Sequence, residues 1–508
     1  MKRPNVLWIF VAIMIFESVV WAGLAIGQIQ EEVFLRNTDH ELHVYRIFGE
    51  KPGRTIMLIG GIQGDEPGGY LTADLYAGIH LKKGNLIVVP RANFYSILLN
   101  QRQGLTGDMN RKFASYKGSK IETSLEDEIV CILKRLIAES DCLINLHEGS
   151  GYYSPTWIDA DENPSRFGQS IIYDAETFEI PGKNRNLYLG DVARKVIAQV
   201  NREIDEKRYH FRPNNHDTLS ENTKHKEQRK SATYYALTGA HIPAFGVETS
   251  KSIRDLKTKI RLHKLVINTM MAEFGIIQDP PPITVNRPEL KYLLIKINDN
   301  NPFAMRPGTE LEMELGDEVV VVDIIANYQR GLVADLQGLG TSNDTDIPFR
   351  LSKPTRIIVR KDAQECGWVD LMPRMHSDAV KRFPKGILSE NLRAKKLQID
   401  VDGEMKTVAE GQALIVPKGS RITLKGVQTS VPEMDNDVIV NLKGFVPPKA
   451  ANDGQDLHFP VYTDQGFLNR YSENGQGKRY PIIVTYKDRE IGKFWLELTA
   501  NRATGHKG

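Results

Sequence analysis

At 508 residues the chain exceeds what one hydrophobic core holds, since single cores stop growing near roughly 250 to 300 residues, so two or three domains are expected. Its 66 Lys+Arg against 64 Asp+Glu leave a formal charge of +2 with no basic block to track a polyphosphate backbone, which argues against nucleic acid as a partner. Three cysteines, Cys131, Cys142 and Cys366, are too few and odd in number for a disulfide-stapled scaffold.

The first residues, Met1-Lys2-Arg3, precede an apolar run from Val6 to Phe16 and a weaker one from Ser18 to Ile26. A positive start, a short apolar centre and small residues around Ala22 and Gly27 describe a secretory leader over residues 1–27. Glu17 interrupts what would otherwise be a spanning run, and an uncleaved inner-membrane anchor is the alternative to removal. Either outcome puts the remaining chain outside the cytoplasm, with the periplasm as the expected compartment.

From Glu31 to Gly275 short apolar runs alternate with helical patterns, which predicts an α/β domain over residues 28–278 with a mixed sheet flanked by helices. Strands are expected at Arg54–Gly60, Asn85–Val89, Cys142–His147 and Ile242–Thr249. Helices are expected at Leu71–Leu81, at Ser124–Ala138 and at Asp255–Phe274; the second opens on a capping-box pair, Ser124 with Asp127. Cys131 reads as part of this helix's apolar face and Cys142 as a small residue in a core strand, with a bridge between them as the lesser alternative. Arg208 to Lys230, with His210, His216 and His225, reads as a long exposed loop.

Asp279-Pro280-Pro281-Pro282 breaks the pattern, because consecutive prolines cannot join a helix or a sheet ladder. Alternating segments at Tyr292–Lys296, Thr309–Leu315, Glu318–Ile325 and Thr355–Arg360 then predict a β-sandwich over 283–370. Runs at Lys396–Val401, Ala413–Val416, Arg421–Leu424, Val438–Leu442 and Tyr480–Tyr486, with a hairpin turn at Asp402-Gly403, predict a second β domain over 371–508. No internal repeat is legible.

Four clusters carry chemistry. Gly60-Gly61-Ile62-Gln63-Gly64-Asp65-Glu66 lies where a buried strand gives way to a helix, at the end of the sheet where ligand crevices form. Gln63 and Glu66 there could converge on one ion, or the segment could be a surface turn. His147 ends another apolar strand. With Gln63 and Glu66 it would complete a three-ligand metal site of amide oxygen, carboxylate and imidazole; alone, it reads as a structural residue. Arg102 and the run Asp108-Met109-Asn110-Arg111 could offer a carboxylate clamp and an oxyanion donor, or could be a solvated polar loop. Glu248, in Phe245-Gly246-Val247-Glu248-Thr249-Ser250-Lys251, is a carboxylate at a strand end, suited to general-base work or simply solvated. Tyr152, Tyr153, Tyr234 and Tyr235 flank these clusters as packing residues or as cover for a substrate.

Taken in order, the strand with Gln63-x-x-Glu66, then Asn110-Arg111, then Leu146-His147 and the strand-end Glu248 resemble the zinc metallocarboxypeptidases and their aspartoacylase and desuccinylase relatives. Position 63 is histidine in most of that superfamily. A Gln-Glu-His set, an exported start and two following β domains resemble the D,L-carboxypeptidases that trim peptidoglycan in helical bacteria. That resemblance implies zinc on Gln63, Glu66 and His147, Glu248 as general base, Arg102 at the oxyanion, and Asn110 with Arg111 on the substrate carboxylate. It implies as substrate a muramyl tripeptide cut between γ-D-Glu and meso-diaminopimelate. The alternatives are a wall-binding protein whose zinc site has decayed, for which the weaker amide ligand argues, and an aspartoacylase-type amide hydrolase.

Overall fold

The side chains of Thr55–Ile59 explain the central architecture. Ile56 and Leu58 enter one hydrophobic cluster and Met57 and Ile59 another, so the strand is buried on both faces and needs helices on each side. In the computed structural model, which describes residues 28–114, 124–374, 392–446, 454–486 and 489–500, this strand lies near the middle of an eight-stranded mixed sheet. In chain order the strands are Ile29–Phe34 (β1), Leu42–Phe48 (β2), Thr55–Ile59 (β3), Asn85–Val89 (β4), Cys142–Gly149 (β5), Ser170–Tyr173 (β6), Arg212–Asn215 (β7) and Ala244–Ser250 (β8). Their order in the sheet is β1-β2-β4-β3-β5-β8-β6-β7. The inner strands β4, β3, β5 and β8 run parallel, so β3, β5 and β8 end on the same edge.

One face carries the helices Pro67–Tyr76 (α1), Leu189–Val200 (α2) and Leu256–Glu273 (α3), whose Tyr76, Val196 and Val266 join Ile56 and Leu58. The other carries Leu125–Ala138 (α4) and Ala232–Thr238 (α5), whose Leu133, Leu136 and Ala236 join Met57 and Ile59. The expected capping box is formed: the Ser124 hydroxyl accepts from the Asp127 N–H while the Asp127 carboxylate accepts from the Ser124 N–H. The helix expected at Leu71–Leu81 begins earlier, at Pro67, whose missing N–H suits a first turn, and stops at Tyr76; Leu81–Lys83 is a short strand instead.

Two expectations are corrected. Cys131 is exposed, because the buried stripe of α4 runs through Ile129, Val130, Ile132, Leu133, Leu136 and Ile137; Cys142 is buried, and all three thiols are free. Arg208–Lys230 is not an exposed loop: it contributes β7 to the sheet, and His216 is 2% exposed. The leader expected over 1–27 lies outside the described residues. Among the described residues no helix is long and apolar enough to cross a membrane.

By compactness the chain divides into two units, one comprising the chain up to Leu290 with Ile324–Phe349 and Thr355–Trp368, the other Lys291–Asp323, Arg350–Pro354 and the remainder from Val369. Within the first unit, Asp74 on α1 accepts from Arg91 and from Arg330, both at 2.8 Å, and Arg91 also donates to Asp362 at 2.5 Å. Burial alone would raise the proton affinity of the Asp74 carboxyl, but Arg91 and Arg330 hold it well below the usual carboxylate range.

Beyond the α/β sheet the chain forms Leu290–Ile297 (β9), Phe303–Met305 (β10), Thr309–Glu314 (β11), Glu318–Ala326 (β12), Leu332–Leu336 (β13), Phe349–Arg350 (β14), Thr355–Lys361 (β15) and Gln364–Arg374 (β16). It continues with Ala394–Val401 (β17), Glu404–Ala409 (β18), Ala413–Pro417 (β19), Arg421–Thr429 (β20), Ile439–Leu442 (β21), Pro460–Tyr462 (β22), Arg479–Tyr486 (β23) and Arg489–Thr499 (β24). The first eight make sheets ordered β10-β9-β12-β14 and β11-β16-β15-β13, and the next eight make β18-β17-β20-β22 and β19-β24-β23-β21. Adding eight to each label of the first pair gives the second. Both also contain the same parallel pairing, β11 with β16 and β19 with β24. The two β regions thus share one strand topology, although no repeat is legible in the sequence. As expected, Asp402-Gly403 makes the β17–β18 hairpin, with φ of 54° and 93°.

The repeat extends to a buried aspartate. Asp344 donates its backbone N–H to the carbonyl of Ala334 and accepts from the N–H of Leu336, at 2.7 and 2.8 Å. Asp456 does the same with Val440 and Leu442, at 2.8 and 2.7 Å. Each carboxylate satisfies a strand-end N–H that has no water to turn to. Asp344→Ala and Asp456→Ala should each lower stability by about 1–3 kcal/mol in denaturant titration. Wild-type stability in both variants would show that the shared contact is incidental.

Candidate active site

The sheet edge at which β3, β5 and β8 end carries the candidate residues. After β3 the backbone turns through Gly61, whose φ of 67° suits glycine, and passes so close to Ser96 that a Cβ on Gly64 would lie 2.1 Å from its carbonyl carbon. That tight turn brings Gln63 back over the sheet, and Glu66 follows as the residue preceding α1, with Pro67 in the first helical position. His147 and Glu248 face one another in the parallel register of β5 and β8.

The result is a convergence of donors. Gln63 Oε1 and Glu66 Oε2 each lie 3.0 Å from His147 Nδ1, and all three side chains are buried. Gln63 Nε2 donates to both oxygens of Asp108 at 3.1 Å, which turns the amide so that its oxygen faces His147. Asp108 also accepts from Arg102 at 3.2 Å and from the Asn110 N–H at 2.9 Å. Arg102 reaches Glu66 at 3.4 Å. Asn110 lies 3.5 Å from the other ring nitrogen of His147 and accepts from the N–H of Ala232 at 3.0 Å, which ties this loop to the start of α5.

A cleft of about 280 Å³ opens over these groups, lined by all seven residues singled out from sequence: Gln63, Glu66, Arg102, Asn110, Arg111, His147 and Glu248. None of the four flanking tyrosines lines it. Tyr152 and Tyr153 instead lie beneath the guanidinium groups of Arg208 and Arg212. Sequence reasoning did not assign roles to Asp108, Lys251, Ser150, His216, Gln228 or Thr233. Asp108 was within reach, two residues before Asn110 in the same motif, as was Lys251, three residues after Glu248; for Ser150, His216, Gln228 and Thr233 no local pattern marks which side chain turns inward. Lys251 pairs with Asp65 and lies 3.7 Å from Glu66.

Burial raises the proton affinity of Glu248, and the Glu66 carboxylate adds to it, while His147 and Arg102 work in the opposite sense. Burial lowers that of His147, but hydrogen bonding and charge from Glu66, with Glu248 beyond, outweigh it and the net shift is upward. Behind the site, Glu148 accepts from the N–H of Gly68 at 2.5 Å and pairs with buried Lys259, locking β5 to the start of α1. Among the described residues no three His, Cys, Asp or Glu side chains gather as a metal-binding group; the set here has an amide as its third donor.

A sheet with helices on both faces and oxygen and imidazole donors at its strand ends defines a metallocarboxypeptidase-like hydrolase. Residues 29–280 match the family model described as carboxypeptidase controlling helical cell shape, catalytic. Among solved structures, the apo cell shape determinant protein Csd4 of Helicobacter pylori is 21% identical, with 93% of this chain and 100% of that chain covered and a TM-score of 0.48. The mDAP-bound form of the same D,L-carboxypeptidase is 22% identical over 88% and 97%, with a TM-score of 0.48. A succinylglutamate desuccinylase/aspartoacylase from Rhodobacter sphaeroides is 15% identical over 69% and 96%, with a TM-score of 0.33. No protein of curated function matches the chain in sequence.

Proposed function

We propose that the chain is a zinc-dependent D,L-carboxypeptidase that acts on peptidoglycan muropeptides in the periplasm, releasing meso-diaminopimelate from γ-D-Glu in muramyl tripeptides. The observation that carries this reading is the convergence of Gln63 Oε1 and Glu66 Oε2 on His147 Nδ1, each at 3.0 Å. Donors about 2.0–2.1 Å from one tetrahedral ion stand roughly 3.3 Å apart, so the set fits zinc with little rearrangement. Gln63, Glu66 and His147 would hold it. Bound there, zinc supplies Lewis-acid polarisation of the scissile carbonyl and of the attacking water.

The remaining chemistry belongs to the chain. Asn110 and Arg111 hold the free carboxylate of the terminal residue, which fixes the scissile carbonyl over the donor set. Glu248, whose raised proton affinity suits a group that must both take and return a proton, accepts the proton of the attacking water. Water oxygen bonds to the carbonyl carbon, Arg102 stabilises the charge that develops on the carbonyl oxygen, and the C–N bond then breaks as Glu248 protonates the leaving amine. The leader over 1–27, with its cleaved or anchored outcome, and two β domains over 283–370 and 371–508 complete this reading.

Purified protein should bind about one zinc per chain and release diaminopimelate from muramyl tripeptide. Glu248→Gln should keep the zinc and lose at least ~100-fold in turnover, since a general base contributes rate rather than metal affinity. A chain without zinc and without product after zinc addition refutes the proposal, and activity surviving Glu248→Gln refutes the assigned base.

Asp108 generates a separate expectation. Its carboxylate fixes the Gln63 amide and, by accepting from the NH2, makes the oxygen a better donor. Asp108→Asn should weaken zinc binding about 10- to 100-fold in competition with a chromophoric chelator. Unchanged affinity would mean that Gln63 needs no such support.

A further inference from the structure

His216 is an unusual side chain for a cleft wall. It follows β7 directly, with its N–H donating to the carbonyl of Tyr173 at 3.0 Å and its carbonyl accepting from the Thr223 hydroxyl at 2.9 Å, so its backbone is fixed on both sides. Its ring stacks on His225, with centroids 4.0 Å apart and planes within 6°, and meets the edge of Phe167 at 6.1 Å. It is 2% exposed and lines the same cleft as Asn110 and Arg111, yet neither ring nitrogen has a hydrogen-bond partner among the described residues.

Buried polar groups are seldom left unpaired, and a pair of unmet nitrogens in a substrate cleft points to a ligand group that meets one of them. The surroundings indicate its charge. Burial keeps the imidazole neutral, so one nitrogen carries a hydrogen to donate, and the charged groups acting on the ring besides His225 are the guanidiniums of Arg212 and Arg111. Arg212 is itself half-buried, with its Nε unpaired, a backbone acceptor at Arg166 and the Tyr153 ring beneath it. Among the described residues no carboxylate lies within ion-pair distance of Arg212. A neutral N–H donor in an electropositive wall is complementary to an anion, and Asn110 with Arg111 already accounts for the α-carboxylate.

We propose that His216 is a specificity-determining residue that donates its ring N–H to a second carboxylate, carried on the side chain of the released residue, and so selects a diaminodicarboxylic acid over a diaminomonocarboxylic one. His225, stacked face to face, holds the ring in place. This rests on the carboxypeptidase reading above and adds to it the group that reads the side chain.

The test uses the full zinc-loaded chain and two muramyl tripeptides, one ending in meso-diaminopimelate and one in L-lysine, which keeps the side-chain amine but lacks the second carboxylate. Wild-type kcat/KM should favour diaminopimelate. In His216→Phe, which keeps a stacking ring without the N–H, that preference should fall about 10- to 100-fold, with the loss carried by KM for the diaminopimelate substrate. His216→Asn, which restores an N–H donor, should recover part of it. A preference unchanged in His216→Phe, or equal losses on both substrates, would overturn the proposal. A wild type that releases lysine and diaminopimelate equally well overturns it while leaving the carboxypeptidase reading intact, whereas one that releases neither removes both.

Discussion

The 3.0 Å approach of two side-chain oxygens to His147 Nδ1 is the constraint around which the α/β unit is built. Burying a carboxylate, an amide and an imidazole together is costly unless each has partners, and the segments around the site contribute them. Asp108 takes the amide hydrogens of Gln63, and Arg102 and Lys251 face Glu66. The parallel ladder of β5 and β8 puts Glu248 beside His147, so the groups proposed to hold metal and to move protons come from adjacent strand ends.

Charge pairing behind the site serves the same end. Buried Glu148, next in sequence to His147, is shared between the N–H of Gly68 and Lys259, which couples the position of the histidine strand to that of the helix following Glu66. Farther along α1, Asp74 joins Arg91 and Arg330. Removing one member of such a cluster strands a buried charge, so these pairs fix relative positions more than they add net stability.

Much of this was legible in the sequence because the signals were local. A continuous apolar run ending in glycines or a histidine can be read from residues 54–64 and 142–147 alone, and the capping box of Ser124 and Asp127 spans a single turn. The order of the motifs then picked out seven of the residues that line the cleft, and the family they resemble. What could not be read depends on distant parts of the chain. His216 sits in a polar stretch, Arg208–Lys230, that carries no apolar periodicity, and it is buried through the pairing of β7 with β6 and the rings of His225 and Phe167. Cys131 was read as part of an apolar stripe that in fact passes on the other side of the helix. The shared β topology escaped because strand order is preserved by alternation and turn placement, which many different side chains satisfy. The shared contacts of Asp344 and Asp456 emerge only when each is set against its own strand.

The Gln63 amide, proposed as a zinc ligand and taken alone an argument for a decayed site, acquires a defined orientation from Asp108, and the proposed zinc site depends on that orientation. Its most direct test is the zinc K-edge X-ray absorption spectrum of the metal-loaded chain. Zinc held by Gln63, Glu66 and His147 should show a first shell of nitrogen and oxygen only, at about 2.0–2.1 Å, with outer-shell scattering from a single imidazole. A sulfur shell near about 2.3 Å, or scattering from two or more imidazoles, would place the metal elsewhere and contradict it.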